Sequence, residues 1–147
     1  MSKKPRLLYC HCAWAQVVPA DVKNAVLRGL CESGETFETA ADLCEMSARR
    51  DAALERLADG GPLKIAACYP RAVKWLFAAA GTPLSPEKTE ILNMRCESAD
   101  AVRAAMLDPI VHPSSGADDG PDHESARRNG PAPANPSADD AVSNSKL

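Results

Sequence analysis

Six cysteines are the residues of this chain most able to do chemistry: a Cys-x-Cys pair at Cys10 and Cys12, then Cys31, Cys44, Cys68 and Cys96. A thiolate ligates soft metals, exchanges with disulfides and attacks electrophiles. Which of these a thiol does depends on its compartment and its neighbours. Lys3, Lys4 and Arg6 precede the apolar run Leu7-Leu8-Tyr9-Cys10, as in a signal peptide, but His11 and Gln16 interrupt it. No small-residue cleavage site follows, and Tyr9 before Cys10 is unlike a lipoprotein signal. No run approaches the roughly 18 apolar residues of a membrane span. The expectation is a cytoplasmic protein with no membrane partner, whose cysteines are reduced and act as ligands or redox groups rather than structural disulfides.

The elements that would position these thiols follow from periodicity. Arg6 to Cys10 is a short apolar run bounded by Pro5 and reads as a buried strand. Pro19 suits the first turn of a helix carrying Val22, Val26, Leu27 and Leu30, which Ser33-Gly34 stops. Thr36 to Leu43 is expected as a second strand, and Ser47 as the cap of a helix with Ala53, Leu54 and Leu57 on its apolar face, ended by Gly60-Gly61-Pro62. Leu63 to Cys68 is continuously apolar except for Lys64 and reads as a central parallel strand. A helix follows Pro70, with Ala72, Val73, Leu76, Phe77 and Ala80 at helical spacing and Gly81 as its stop. Thr89 to Arg95 reads as the fourth strand, and Ser98 opens a last helix through Val102, Ala105, Met106 and Leu107. Strands alternating with helices imply right-handed crossovers. The expected fold is α/β, a four-stranded parallel sheet with helices on both faces, flavodoxin-like or thioredoxin-like in layout.

Composition divides the chain at Asp108. Residues 108–147 contain no aromatic and no cysteine but six prolines, and seven acidic against three basic residues, so they are expected to form a disordered acidic tail. Residues 1–107 form the domain, with thirteen acidic and fourteen basic residues. That near-neutrality, with Arg49-Arg50 and Arg127-Arg128 as isolated pairs, argues against a nucleic-acid surface. Neither G-x-G-x-x-G nor G-x-x-x-x-G-K-[ST] occurs, so any flavin would belong to a partner.

All strands of a parallel sheet end along one edge, where open α/β folds usually place their sites. Cys10 and Cys12 close the first strand, Cys44 follows the second, Cys68 ends the third and Cys96 follows the fourth, while Cys31 falls in a helix and is expected as a small buried hydrophobe. Adjacent strands lie about 4.8 Å apart, so the outer loops must curl inward for the thiols to meet. Three chemistries compete for such a rim. Structural zinc usually recruits Cys-x-x-Cys knuckles, which this chain lacks. A dithiol redox enzyme uses Cys10 and Cys12 and leaves Cys44, Cys68 and Cys96 unexplained. A [4Fe-4S] cluster takes four thiolates from separate loops and explains the most residues.

Ala66-Ala67-Cys68-Tyr69-Pro70-Arg71 followed by Phe77 and Ala80-Gly81, together with Cys10-His11-Cys12 and Asn93-Met94-Arg95-Cys96, resembles the N-terminal iron–sulfur-binding domain of the flavin-bearing chain of heterodisulfide reductase. The resemblance covers roughly residues 6–107 by order of motifs. It implies a domain that binds one [4Fe-4S] cluster on Cys12, Cys44, Cys68 and Cys96, with Cys10 as alternative ligand, and that exchanges electrons with a partner carrying flavin or iron–sulfur centres. Ala13 stands where that family has glycine. Beside these, His11 is expected as a supporting or exposed residue, Trp14 as a shield for the centre, Trp75 as core, and His112 and His123 as solvated.

Overall fold

The computed structural model describes residues 3–113. β1 (Arg6–Cys10), β2 (Glu38–Ala40), β3 (Leu63–Ala67) and β4 (Thr89–Asn93) form one four-stranded sheet, every pair of neighbours parallel, in the order β2-β1-β3-β4. This is the α/β architecture expected, and of the two layouts its strand order is the flavodoxin-like one. Leu8 stands opposite Ile65, and Ile65 opposite Ile91, so large aliphatics stack across the centre. Every residue of β3 and β4 is buried, as a parallel sheet covered on both faces requires.

The chain leaves β1 toward one side of the sheet and returns from β2 toward the other. With right-handed crossovers, α1 (Ala20–Glu32) must then cover one face, and α2 (Leu43–Ala48), α3 (Ala52–Asp59) and α4 (Pro70–Ala79) the other. α5 (Ala99–Leu107) packs on α1. Their contact is close at Gly29, where a Cβ would overlap the Arg103 side chain. Ser98 caps α5 by accepting from the Ala101 amide, and Gly81, at φ +87°, lies just beyond α4 in a left-handed conformation that glycine adopts without strain.

Two expectations change in the second crossover. The strand expected over residues 36–43 is only three residues long, because Asp42 starts a helix: its carboxylate accepts from the Cys44 and Glu45 amides. The single helix expected after Ser47 is two helices, each begun by an aspartate, Asp42 for α2 and Asp51 for α3. Ser47 lies inside α2, buried, and its hydroxyl donates to the Leu76 carbonyl at 2.7 Å, tying α2 to α4. The short edge strand that results offers few unpaired backbone groups.

Lys64, the one charge in β3, is fully buried and pairs with Glu90 of β4 at 3.1 Å. Its ammonium also donates to the Ala105 carbonyl of α5, and Glu90 accepts from the His112 amide at 2.9 Å. Residues 108–113 are therefore held against β4. Asp108 accepts from the Ile110 amide and lies 3.4 Å from the His112 ring. Residues 114–147, the greater part of the tail expected from composition, and His123 with them, lie outside the described residues.

Candidate metal centre

The strand order reverses between β1 and β3, and the crevice of an open α/β sheet lies at the carboxyl ends of those strands. Cys12 follows β1 and Cys68 follows β3, so these two thiols flank that point. Cys44, in the first turn of α2, follows β2 on the next strand out.

Backbone bonds shape the loop that carries Cys12. His11 and Ala13 donate to the carbonyls of Ala40 and Ala41, extending the β1–β2 pairing past the end of the sheet. Cys12 itself takes φ +52° and is buried. A non-glycine residue in the left-handed region costs about 1–2 kcal/mol, and such strain concentrates where a site fixes a side chain. The turn closes with the Gln16 amide donating to the Cys12 carbonyl at 3.1 Å.

Asp42 joins this loop to α2. One carboxylate oxygen accepts from the Trp14 and Ala15 amides at 2.9 and 3.1 Å, and the other from Cys44 and Glu45 at 2.9 and 3.4 Å. The residue is 1 % exposed. Burial alone would raise its pKa, but these four amides outweigh it and hold the carboxyl below the usual aspartate value. A charged carboxylate thus fixes the loop after Cys12 against the helix turn of Cys44.

Cys12 bears on the thiols of Cys44 and Cys68, and Cys68 on that of Cys44. Loss of water around its sulfur, then the charge of Asp42 and of Cys68, and more weakly of Cys12, push Cys44 up to about 11, although the residue is exposed at its surface. Burial raises Cys68 as well, Cys12 and Asp42 add to the rise, and the Arg95 guanidinium opposes it. Cys10, buried in β1, is pushed to about 11 first by desolvation, with amides of Leu43 and Cys12 opposing, and Cys12 and Asp42 adding to the rise. Tyr9 is pushed to about 12 by burial and by the same two cysteines, Cys10 and Cys12. Its hydroxyl donates to the Lys23 carbonyl and lies 3.2 Å from Nδ1 of His11, which is half-buried in this supporting position.

Cys96 sits in the turn after β4 and is exposed. Asn93 shapes that turn: its carbonyl accepts from Cys96 and Glu97, and its side-chain oxygen from Arg95. Cys96 belongs to the same sheet edge as the other three but does not figure among the groups that shift Cys44 or Cys68. Among the described residues, no three His, Cys, Asp or Glu side chains stand together closely enough to hold a single metal ion.

Two residue expectations are corrected. Cys31 is exposed, because the buried stripe of α1 runs through Val26, Gly29 and Leu30 and the next residue turns outward. Trp75 is 67 % exposed, since α4 buries Val73, Leu76 and Phe77. With Tyr69, Arg71 and Ala72 it lines an open depression of about 480 Å³ beside the Cys68 turn. Trp14 is 75 % exposed, on the loop after Cys12.

Sequence reasoning missed Asp42 and the role of Arg95. The signal for Asp42 was present, since Asp42-Leu43-Cys44-Glu45 has the spacing of a capping box before a helix. Among the described residues no helix is long and apolar enough to cross a membrane. Searches against family models, curated proteins and solved structures find no match.

Proposed function

We propose that this domain is an electron carrier that holds one [4Fe-4S] cluster at the carboxyl edge of its sheet and serves a separate cytoplasmic partner bearing flavin or iron–sulfur centres, in the manner implied by its resemblance to the N-terminal domain of the flavin-bearing chain of heterodisulfide reductase. The observation that carries the reading is the placement of Cys12, Cys44 and Cys68, three cysteines from three different crossovers, at the carboxyl edge around the switch point of the sheet. Cys12 makes ionisation of Cys68 and Cys44 harder, Cys68 adds to the effect on Cys44, and a cationic iron–sulfur core would relieve that repulsion.

When bound, such a cluster accepts and releases one electron at a time. The chain's own contribution is to hold the thiols: the left-handed Cys12, the Asp42 knot that sets Cys44, and the start of α4 behind Cys68. Cys96 is the fourth ligand implied by the resemblance, and Cys10 the alternative. A dithiol enzyme built on Cys10 and Cys12 fits less well. It leaves Cys44, Cys68 and Cys96 at the same sheet edge without a role.

Anaerobic reconstitution with iron and sulfide, followed by analysis of iron, sulfide and zinc, tests the reading. Wild type is expected to hold about four irons and four sulfides per chain, the stoichiometry of the cluster type. Cys12→Ser, Cys44→Ser and Cys68→Ser are each expected to lose them, and Cys31→Ser to retain them. Loss in Cys96→Ser with retention in Cys10→Ser assigns the fourth corner to Cys96, and the reverse assigns it to Cys10. Full iron content in Cys68→Ser, or zinc alone in the wild type, overturns the cluster.

A further inference from the structure

The Arg95 side chain reaches two other segments of the rim. It lies in the turn between β4 and α5, next to Cys96, and is half-exposed. Its guanidinium carbon stacks 3.9 Å from the centre of the Tyr69 ring, the residue after Cys68. Its Nε donates to the Val17 carbonyl at 3.2 Å, in the loop that follows Cys12. Three segments separated by up to 78 positions in sequence thus meet on one side chain. Its own amide is held by the Asn93 side chain, so the arm starts from a fixed base.

We propose that Arg95 is the positioning residue of the rim: it clamps the loops bearing Cys12, Cys68 and Cys96 together and places a positive charge beside the thiols. The clamp follows from geometry that lysine cannot reproduce, since a planar guanidinium can stack on a ring and donate from its edge at the same time. The charge follows from the same placement. Arg95 is adjacent to Cys96 in the chain, and its guanidinium stacks on the ring of the residue after Cys68. For the charge half, the inference rests on the cluster reading above; the clamp half does not. A cation beside an iron–sulfur centre favours its reduced state, because reduction adds negative charge there.

Arg95→Gln removes both the charge and the stacked fork, while Arg95→Lys keeps the charge alone. In metal-free protein, amide exchange of residues 13–17 and of Cys68 and Tyr69 is expected to quicken about tenfold or more in both variants, the scale of losing a charged hydrogen bond, with β1 and β3 unchanged. In reconstituted protein, the reduction potential is expected to shift to more negative values in Arg95→Gln and to return toward wild type in Arg95→Lys. Unchanged exchange in Arg95→Gln overturns the clamp whether or not a cluster forms. An unmoved potential in Arg95→Gln overturns the charge role. Failure of the wild type to take up iron and sulfide overturns the cluster reading and with it the charge role, and the exchange rates still decide the clamp.

Discussion

Two buried carboxylates, Asp42 at the rim and Glu90 within the sheet, are satisfied in opposite ways. Asp42 meets four backbone amides and no cation among its hydrogen-bond partners. Glu90 meets the Lys64 ammonium at 3.1 Å and one backbone amide. A carboxylate held by amides fixes the shape of the loops that supply them, and here those loops carry Cys12 and Cys44. One held by a buried ammonium closes the interior, since each charge removes the other's reason to seek water. The same functional group therefore positions chemistry at one end of the fold and seals α5 and residues 108–113 onto β4 at the other.

The sharpest break of this comparison is at Glu90. Glu90→Ala strands the Lys64 charge in a fully buried position and is expected to cost about 3–5 kcal/mol by urea unfolding of metal-free protein. The double variant Lys64→Met with Glu90→Leu removes both charges at similar volume and is expected within about 1 kcal/mol of wild type, or above it. A cost below about 1 kcal/mol for Glu90→Ala would put the pair with solvated surface pairs and dissolve the contrast.

Asp42→Asn comes next, at about 1–3 kcal/mol, because an amide turned to accept from one pair of N–H groups points its own NH2 at the other pair. The damage should be local, with faster exchange at residues 13–15 and 43–45 and none at 108–113. Acid supplies a second measurement. The folded-state pKa of Asp42 lies below its unfolded value, so its contribution is fully present above the ordinary aspartate range near ~3.9 and is lost as pH falls through the folded value. The stability gap between wild type and Asp42→Asn should therefore narrow as pH falls below about 4. A gap that widens in acid would mean the amides are not what holds the charge.

Much of the fold was legible because burial on both faces leaves continuous apolar runs. Leu63 to Ala67 and Arg6 to Cys10 form strands where the sequence places them, and α4 runs from Pro70 as its periodicity implies. Placing cysteines at strand ends needed only the parallel topology. The α2–α3 break was hidden because Asp42 and Asp51 compete with Ser47 as caps, and burial of Ser47 against Leu76 is a tertiary outcome. The exposure of Trp75 was readable in principle, since a stripe through Val73, Leu76 and Phe77 leaves it on the far side. Asp42 and Arg95 were not readable as organisers of the rim. Their partners Trp14, Ala15, Tyr69 and Val17 lie 26 to 78 positions away, and no local pattern encodes such a meeting.

The smallest expected effect carries the comparison from charge to backbone. Cys12 at φ +52° and Arg50 at φ +51° both occupy the left-handed region, one at the thiol rim and one at the junction of α2 and α3. Arg50 is exposed, and its amide donates to the Ser47 carbonyl at 3.0 Å, a bond that glycine keeps. Relief of about 1–2 kcal/mol of strain is offset by roughly 0.5–1 kcal/mol of extra unfolded-state entropy, so Arg50→Gly should gain about 0.5–1 kcal/mol. Cys12→Gly relieves the same strain but deletes a buried side chain, 4 % exposed, so its gain in metal-free protein should be smaller than that of Arg50→Gly. It should also take up no cluster. Thermal unfolding of the two metal-free variants, with iron analysis after reconstitution, reads both effects. An equal gain at the two positions with full iron content in Cys12→Gly would show that the strain at Cys12 belongs to an ordinary turn and serves no ligand.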